Sequence, residues 1–338
     1  MSNKSSTYSG SSAQQLIPVS RDEIISMTPL PADFYVKLSD EHFVMVGRRG
    51  AKQMEDLHAL KNSEKVSDLY VRRDEYKDCV GMNLQIAEIA ISKQELSDLR
   101  KVDILCKASD SVFQEISKIG FNHESLEHSK TVARSLIVLV SAKQDLSSVI
   151  EAMSSVSVEL VRHSIAVSAV SIMIARSMHW NQASTNQRLA LSALLHDIGL
   201  KEIPAELLNK PRHMMSIHEV KSYETHVMRA AEILASMPSV SNDVVSVALE
   251  HHENAIGQGY PRHLRDVRLH PFSKIVALAD CFCDLSMKNV NNPNPRSAED
   301  TVKYMELTLG QPFSKPAFQA LKHTLSLDLR RKNLRKVG

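Results

Sequence analysis

The chain has 338 residues, of which 43% are hydrophobic and 24% charged, as is typical of a globular protein with a buried core. Its 41 Lys and Arg against 39 Asp and Glu give a net charge of +2, which argues against a DNA-binding or membrane-surface protein. Only 10 residues are glycine, which disfavours glycine-rich nucleotide-binding loops and favours helices. Four irregularly spaced cysteines and no signal-peptide pattern predict a cytoplasmic protein with reduced thiols.

The N-terminal part of the sequence predicts a small α+β domain that follows a polar tail. Residues 1–16 are rich in Ser and polar side chains, so we assign them to a disordered tail. Residues 17–75 contain short β-prone runs separated by polar turns, which is typical of paired strands. The predicted elements are strands at 33–38, 42–46 and 67–71 and a helix at 54–61.

The rest of the chain has apolar residues at spacings of three and four, which predicts helices. We assign residues 76–149 to a helical connector, whose apolar stretches are compatible with a homodimer. Residues 150–338 continue the helical pattern and carry an unusual number of His and Asp residues. The predicted fold class is therefore mostly α, with a C-terminal all-helical bundle and a small N-terminal α+β domain.

Several ligand-type side chains lie in these helical segments, and each has an ordinary explanation. Glu159 and His163 are four residues apart and share a helix face, where a solvated surface pair is the common alternative to a metal site. The doublet His196–Asp197 ends an apolar helix, where a carboxylate needs a partner. An Asp at a helix end before a glycine explains it equally well. His226 alone is typical of a core or surface histidine.

The densest group is the segment EHHENAIGQGYP, in which His251 and His252 end a helical run. Asp280 lies in a further apolar helix. Taken together, the candidate metal ligands are His163, His196, Asp197, His226, His251, His252 and Asp280. Imidazole and carboxylate ligands suit Fe, Mn or Zn, and this set exceeds the needs of one tetrahedral ion. The set therefore predicts two adjacent ions with a bridging carboxylate, an arrangement used for phosphoester hydrolysis.

The ordered motifs from residue 150 to 330 resemble the HD-GYP family, a subgroup of the HD superfamily of metal-dependent phosphohydrolases. The resemblance implies an HD-type helical bundle that hydrolyses cyclic di-GMP to pGpG or GMP through a metal-bridging hydroxide. It also implies that His196 and Asp197 are catalytic, with Asp197 bridging two ions that are commonly iron. Glu159 matches the position of a ligand to a third metal. The Gly-x-Gly-Tyr-Pro loop implies contacts with GGDEF-domain proteins.

Some positions depart from the family pattern where phosphate contacts are expected. Leu200 replaces the Lys of the His-Asp-x-Gly-Lys motif, and Lys201 follows it. The other departures are Ile256 for an Asp, Cys283 for an Asp with Asp284 one place on, and Asn289 for an Arg with Lys288 beside it. We therefore assign substrate binding to Lys201, Gly259, Tyr260 and Lys288. The loss of charged contacts predicts slow turnover, since one such contact is worth on the order of a hundredfold in rate.

These departures leave three functional hypotheses. The first is a slow cyclic di-GMP phosphodiesterase. The second is a signalling module without catalysis that binds cyclic di-GMP or a GGDEF partner. The third is an HD phosphohydrolase of another nucleotide.

Overall fold

The computed structural model describes residues 7–8, 15–20, 23, 29–39, 42–51, 69–141, 150–151, 153, 159–309 and 312–336. Within these residues the fold is mostly helical with one small antiparallel sheet, which confirms the predicted fold class. The chain divides into two compact units, residues 1–97 with 104–128 and residues 98–103 with 129–338. This division differs from the predicted boundaries after residues 75 and 149, because helical residues beyond 76 group with the sheet.

The first unit contains an antiparallel sheet with the strand order β1-β4-β3-β5-β2. Its strands are β1 (Thr7–Tyr8), β2 (Leu16–Val19), β3 (Phe34–Ser39), β4 (His42–Gly47) and β5 (Leu69–Arg72). Strands β3, β4 and β5 lie where the sequence predicted strands. The predicted disordered tail is wrong for Thr7 and Tyr8, which pair with β4, and for Leu16, which pairs with Arg72 of β5. The helix predicted at 54–61 lies outside the described residues.

The sheet is followed by α1 (Tyr76–Ser92), α2 (Asp98–Ile119) and α3 (His123–Ser141). Within the first unit, the buried carboxylate of Glu23 lies between α1 and α2 residues. The Nζ atom of Lys118 lies 2.7 Å and 2.8 Å from its two oxygens, and the Tyr76 hydroxyl donates to one of them. Because buried charges need partners, this group has a structural role that satisfies Glu23.

The second unit is a bundle of helices joined by short turns. After α4 (Glu159–Ser177) the helices are α5 (Ala183–Leu195), α6 (Ala205–Leu208), α7 (Ile217–Glu224), α8 (His226–Ala235), α9 (Asn242–Glu250), α10 (Pro271–Ser286), α11 (Ala298–Leu307) and α12 (Lys315–Lys336). Helix α4 packs against α5, α10 and α12, and α8 packs against α9. This arrangement brings the ends of several helices to one place in the bundle.

Helix α4 is long and apolar enough, by length and composition alone, to cross a membrane. However, 72% of its apolar window is buried inside the fold. Its apolar residues, from Ile165 to Ala175, are buried on every side, as expected for a helix at the centre of a bundle. The hydropathy of α4 is therefore explained by its central position.

A close backbone contact fixes the 3₁₀ turn Ile198–Glu202 against α8. A Cβ atom at Gly199 would lie 2.1 Å from the carbonyl oxygen of His226 and 2.6 Å from the amide nitrogen of Ala230. No other residue type fits this contact without movement of the backbone. Gly199 therefore sets the distance between the His196–Asp197 doublet and His226.

Candidate metal centre

The candidate ligands come from different helices and meet at one end of the bundle. His163 lies in the first turns of α4, and Asp280 lies in the buried part of α10. The remaining residues occupy helix ends: His196 and Asp197 after α5, His226 at the start of α8, and His251 and His252 after α9. Because these helix ends lie close together at one end of the bundle, their side chains can contribute to one shared site.

Asp197 lies between two sets of imidazoles. Its Oδ1 atom is 3.4 Å from Nε2 of His226 and 3.3 Å from Nε2 of His251. Its Oδ2 atom is 3.2 Å from Nε2 of His196 and 4.0 Å from Nε2 of His163. The two oxygens of one carboxylate thus face different histidine pairs, which is the geometry required of a residue that bridges two ions.

Asp280 is the second carboxylate of the cluster. Its Oδ1 atom lies 2.8 Å from Nε2 of His163 and 3.7 Å from Nε2 of His196. On the other side, its Oδ2 atom lies 3.7 Å from Nδ1 of His252. Asp280 therefore lies between His163 and His196 on one side and His252 on the other, and it completes a continuous set of oxygen and nitrogen donors.

Hydrogen bonds to the backbone orient three of these histidines. The Nδ1 atoms of His196, His226 and His251 contact the carbonyl oxygens three residues earlier in the chain, at 2.7, 2.7 and 3.0 Å. Since a carbonyl only accepts, each Nδ1 must carry a proton, so Nε2 is the ring nitrogen that can bind a cation. All three Nε2 atoms point at the cluster, as metal-binding imidazoles require.

Several buried atoms in the cluster have no hydrogen-bond partner. These atoms are Nε2 of His196, His226 and His251, and Oδ1 of Asp197. A buried polar atom without a partner costs free energy, so four of them at one place indicate a missing ligand. Neutral nitrogen and carboxylate oxygen are ligands for Fe, Mn and Zn. The residues present therefore fit a metal centre.

The pKa values of several cluster side chains are shifted from their ordinary values. Burial alone would raise the pKa of Asp197, but the neighbouring imidazoles of His196, His251 and His226 outweigh it and hold that pKa well below its ordinary value. Burial lowers the pKa of His226 to about 4, so its imidazole is neutral at pH 7. Burial also lowers the pKa of His163, but the hydrogen bond with Asp280 outweighs this effect and raises that pKa to about 8. A cation at His163 must therefore displace a proton.

Glu159 does not join the cluster, although the sequence placed it on the face of His163. Its Oε1 atom accepts a hydrogen bond from the amide of Val290 at 3.2 Å, and its side chain lies on the wall of a neighbouring cavity. Asp284 takes its place near His163, with Oδ1 at 3.6 Å from Nδ1. The sequence signal for Asp284 was its spacing of four residues from Asp280, which puts both carboxylates on one face of α10.

A cavity of about 280 Å³ opens beside the cluster and is lined by His163, Asp197, His252 and Asp280. Of the predicted substrate contacts, Lys288 lines this cavity and Lys201 does not. Lys201 is exposed, because one step along a 3₁₀ turn rotates a side chain by about 120°. Leu200 faces the cavity instead, so an apolar group stands where the family pattern has a Lys.

Gly259 and Tyr260 also lie outside the cavity wall. A Cβ atom at Gly259 would lie 2.3 Å from the carbonyl oxygen of His252, which gives this glycine a packing role. The Tyr260 ring stacks on the His252 ring, with centroids 4.8 Å apart. The loop is anchored by Glu253, whose buried carboxylate accepts hydrogen bonds from the amides of Arg262 and Leu264 at 2.6 and 2.9 Å. These contacts fix the loop against the histidine doublet.

The sequence did not reveal three cationic residues on the cavity wall. Arg162 lies in α4, and the other two are Lys210 and Arg212. Both belong to an irregular segment between α6 and α7, where no periodicity marks a facing residue. Asn289 lies at the position of an expected Arg. Its Oδ1 accepts hydrogen bonds from the amides of Asn291 and Asn292 at 2.9 and 2.8 Å, which stabilises the local loop.

Comparisons with known proteins agree with the fold and the cluster. The family model described as "HD domain" matches residues 146–313. A cyclic di-GMP phosphodiesterase of Pseudomonas aeruginosa is 33% identical over 120 residues, which are 36% of this chain and 28% of that protein. A cyclic di-GMP phosphodiesterase of Thermotoga maritima is 30% identical over 163 residues, which are 48% of this chain and 44% of that protein. A 3′3′-cGAMP-specific phosphodiesterase of Vibrio cholerae is 28% identical over 165 residues, or 49% of this chain and 35% of that protein.

The matched segments thus span less than half the length of each of these relatives. A solved structure of a HDG"Y"P protein from Bdellovibrio bacteriovorus shares the fold, with a TM-score of 0.66 and 20% identity. That likeness covers 92% of this chain and 99% of the other. The family match and the shared helical fold together identify residues 146–313 as an HD domain.

Proposed function

We propose that this protein is a metal-dependent phosphodiesterase that hydrolyses a cyclic dinucleotide, with cyclic di-GMP as the substrate. The observation that carries this proposal is Asp197, whose two oxygens face different histidine pairs at distances of 3.2–4.0 Å. Such a carboxylate suits two adjacent ions, and paired ions are a common device for phosphoester hydrolysis. The proposed ligands are His163, His196, Asp197, His226, His251, His252 and Asp280.

The chain's own residues would hold and orient the reacting groups. Two bound ions, proposed to be Fe with Mn or Zn as alternatives, would neutralise phosphate charge and activate the nucleophile. Asp197 and His196 fix the centre at the end of α5, and the backbone carbonyls behind three histidines keep their rings in place. His163, Asp280 and Asp284 form a further group within reach of one another, which supports a third ion as an option for this site.

The relatives support a cyclic dinucleotide as the substrate class, since their names give cyclic di-GMP or 3′3′-cGAMP. Both compounds carry two phosphodiester groups that the same metal centre could cleave. We propose pGpG or GMP as the product of cyclic di-GMP. The apolar Leu200 on the cavity wall supports slow turnover, because a charged phosphate contact is missing there.

A second candidate function is binding without catalysis, which the same Leu200 favours. In that case the pocket would sense cyclic di-GMP or engage a GGDEF-domain partner. Hydrolysis of another nucleotide is the third option. A GGDEF partner, a homodimer and a cytoplasmic location stay predictions from the sequence.

The test is to purify the protein anaerobically, load it with Fe²⁺ or Mn²⁺, and measure metal per chain by elemental analysis. Cyclic di-GMP, 3′3′-cGAMP and linear dinucleotides are then incubated with the protein and followed by chromatography. We expect cleavage of cyclic di-GMP and a loss of about a hundredfold or more in Asp197→Asn. The matched control is Asp243→Asn, which removes a carboxylate paired with Arg188 outside the cavity.

A protein with full metal content and no turnover of any compound would contradict the proposed activity. Binding of cyclic di-GMP without turnover would support the signalling module instead. Cleavage restricted to linear or other nucleotides would support the third option.

A further inference from the structure

Four cationic side chains line the cavity beside the metal cluster, and they are not equivalent. They are Arg162, Lys210, Arg212 and Lys288. The Nζ atom of Lys210 lies 2.8 Å from both carboxylate oxygens of Glu219, so its charge is neutralised in the cap of α7. A terminal nitrogen of Arg162 donates to the carbonyl oxygen of Lys288 at 2.6 Å, at the exposed rim. Arg212 also pairs with a carboxylate, that of Glu224, but its guanidinium lies over two aromatic rings as well.

The guanidinium of Arg212 is held by two aromatic rings. Its Cζ atom lies 5.7 Å from the ring centroid of Tyr223 and 5.6 Å from that of Tyr260. One terminal nitrogen donates to Glu224, and the Arg212 amide donates to Asn291 Oδ1 at 2.7 Å. A guanidinium carries five N–H groups, so these contacts orient the group and leave donors for a ligand.

The same two rings connect Arg212 to the metal cluster. The Tyr223 ring lies 5.1 Å from the His226 ring, and the Tyr260 ring lies 4.8 Å from the His252 ring. Each tyrosine thus touches the guanidinium and a cluster histidine. The Tyr223 ring separates the Arg212 guanidinium from His226, and the Tyr260 ring separates it from His252. Arg212 also lines the cavity beside these histidines.

A cyclic dinucleotide carries two phosphodiester groups, each with one negative charge. When one of them lies at the metal cluster, the other must lie elsewhere in the cavity and needs a compensating cation. We propose that Arg212 binds this second phosphodiester group and so selects substrates that carry two. This inference rests on the proposed function and names the residue that would set its substrate class. A planar guanidinium suits the role, because two of its N–H groups can bind two oxygens of one phosphate.

The test compares Arg212→Gln and Arg212→Lys with the wild-type protein on two substrates. Cyclic di-GMP has two phosphodiester groups, and bis(p-nitrophenyl) phosphate has one. For cyclic di-GMP, we expect Arg212→Gln to raise KM by about 10- to 100-fold with kcat changed less than threefold. Arg212→Lys keeps the charge and loses the paired donors, so its KM should be intermediate. Both variants should cleave the single diester like the wild type and keep its metal content.

Arg188→Gln is the matched control. Arg188 also pairs with a carboxylate, Asp243 at 2.6 Å, and also lies over an aromatic ring, Phe272 at 5.9 Å, but it does not line the cavity. Its KM for cyclic di-GMP should equal that of the wild type. A KM for Arg212→Gln equal to that of this control would overturn the proposal. An equal loss of kcat on both substrates would also overturn it, since Arg212 would then act on the reacting phosphate.

A binding measurement separates this inference from the proposed activity. The bis-phosphorothioate analogue of cyclic di-GMP is titrated calorimetrically into the wild type and Arg212→Gln, each at its measured metal content. If the wild type binds the analogue but leaves cyclic di-GMP itself uncleaved, the proposed activity is contradicted, and a higher Kd in Arg212→Gln would still support the role of Arg212. An equal Kd in both proteins would overturn that role, whatever the activity.

Discussion

Gly199 shows how closely the candidate centre depends on a single backbone contact. It follows the His196–Asp197 doublet, and its α-carbon packs on the backbone of α8 at the residue that supplies another candidate ligand. We expect Gly199→Ala to lower the free energy of unfolding by about 1–3 kcal/mol, because the added methyl group forces these backbones apart. The same movement should shift His226 and reduce the bound metal. Urea unfolding and elemental analysis measure the two effects.

Gly81→Ala is a suitable control for this substitution. Gly81 lies inside α1, and a Cβ atom there would come no closer than 4.0 Å to His128 Nε2. Because alanine is a better helix former, we expect a gain of about 0.5–1 kcal/mol. A Gly199→Ala protein with unchanged stability and metal content would show that the bundle absorbs the extra methyl group.

Individual residues also show what the sequence could predict. The doublets His196–Asp197 and His251–His252 directly follow the helices α5 and α9, and imidazole and carboxylate side chains next to apolar helical runs are a direct signal. Glu159 shares a helix face and a cavity wall with His163, as the spacing predicted, and its Oε1 accepts from the amide of Val290, so its role as a ligand stays a prediction. Arg212 gave no signal, because its contacts with two tyrosines come from distant parts of the chain.

At the scale of elements, α7 begins with a capping box that supports the cavity wall. The amide of Glu219 donates to the Ser216 hydroxyl at 3.3 Å, and the amide of Ser216 donates to the Glu219 carboxylate at 2.7 Å. We expect Ser216→Ala to lower the free energy of unfolding by about 1 kcal/mol, because an unsatisfied amide remains at the helix start. Metal content should stay the same, since α7 supplies no candidate ligand.

Ser184→Ala serves as the comparison, because Ser184 is exposed in the first turn of α5 and is not its N-cap. Denaturant unfolding followed by circular dichroism measures both variants. A loss in Ser216→Ala no larger than that in Ser184→Ala would show that the capping box does not stabilise α7.

The elements themselves were predictable where a simple periodicity held. Short β-prone runs separated by a polar turn indicated β3 and β4, and three-and-four spacing indicated the helices of the bundle. The short strand β1 was not predictable, because two residues of a Ser-rich segment carry no pattern and pair only through the edge of β4. The grouping of helical residues beyond 76 with the sheet depends on tertiary packing, which a local pattern does not contain.

For the whole molecule, metal binding should be coupled to the stability of the second unit. In the described part of the chain, the groups of three or more His and acidic side chains that could hold a metal ion all lie in that unit. A ligand at 100 times its Kd stabilises the folded state by about 2.7 kcal/mol. We therefore expect chelation to lower the melting temperature of the second unit by about 5–10 °C, and Mn²⁺ to restore it.

Differential scanning calorimetry measures this shift. Asp197→Asn should show no response to Mn²⁺, because the carboxylate that faces both histidine pairs is absent. A wild-type transition that is the same with and without Mn²⁺ would contradict the coupling between the cluster and the fold.

The backbone contacts behind His196, His226 and His251 have a further consequence for ion exchange. Each ring is anchored to its own helical segment three residues back, so its tautomer is chosen before any cation arrives. The protein would then present one rigid set of donors to every ion that enters. Replacing one transition-metal ion by another should change the reactivity of the ion and leave the positions of the ligand side chains unchanged.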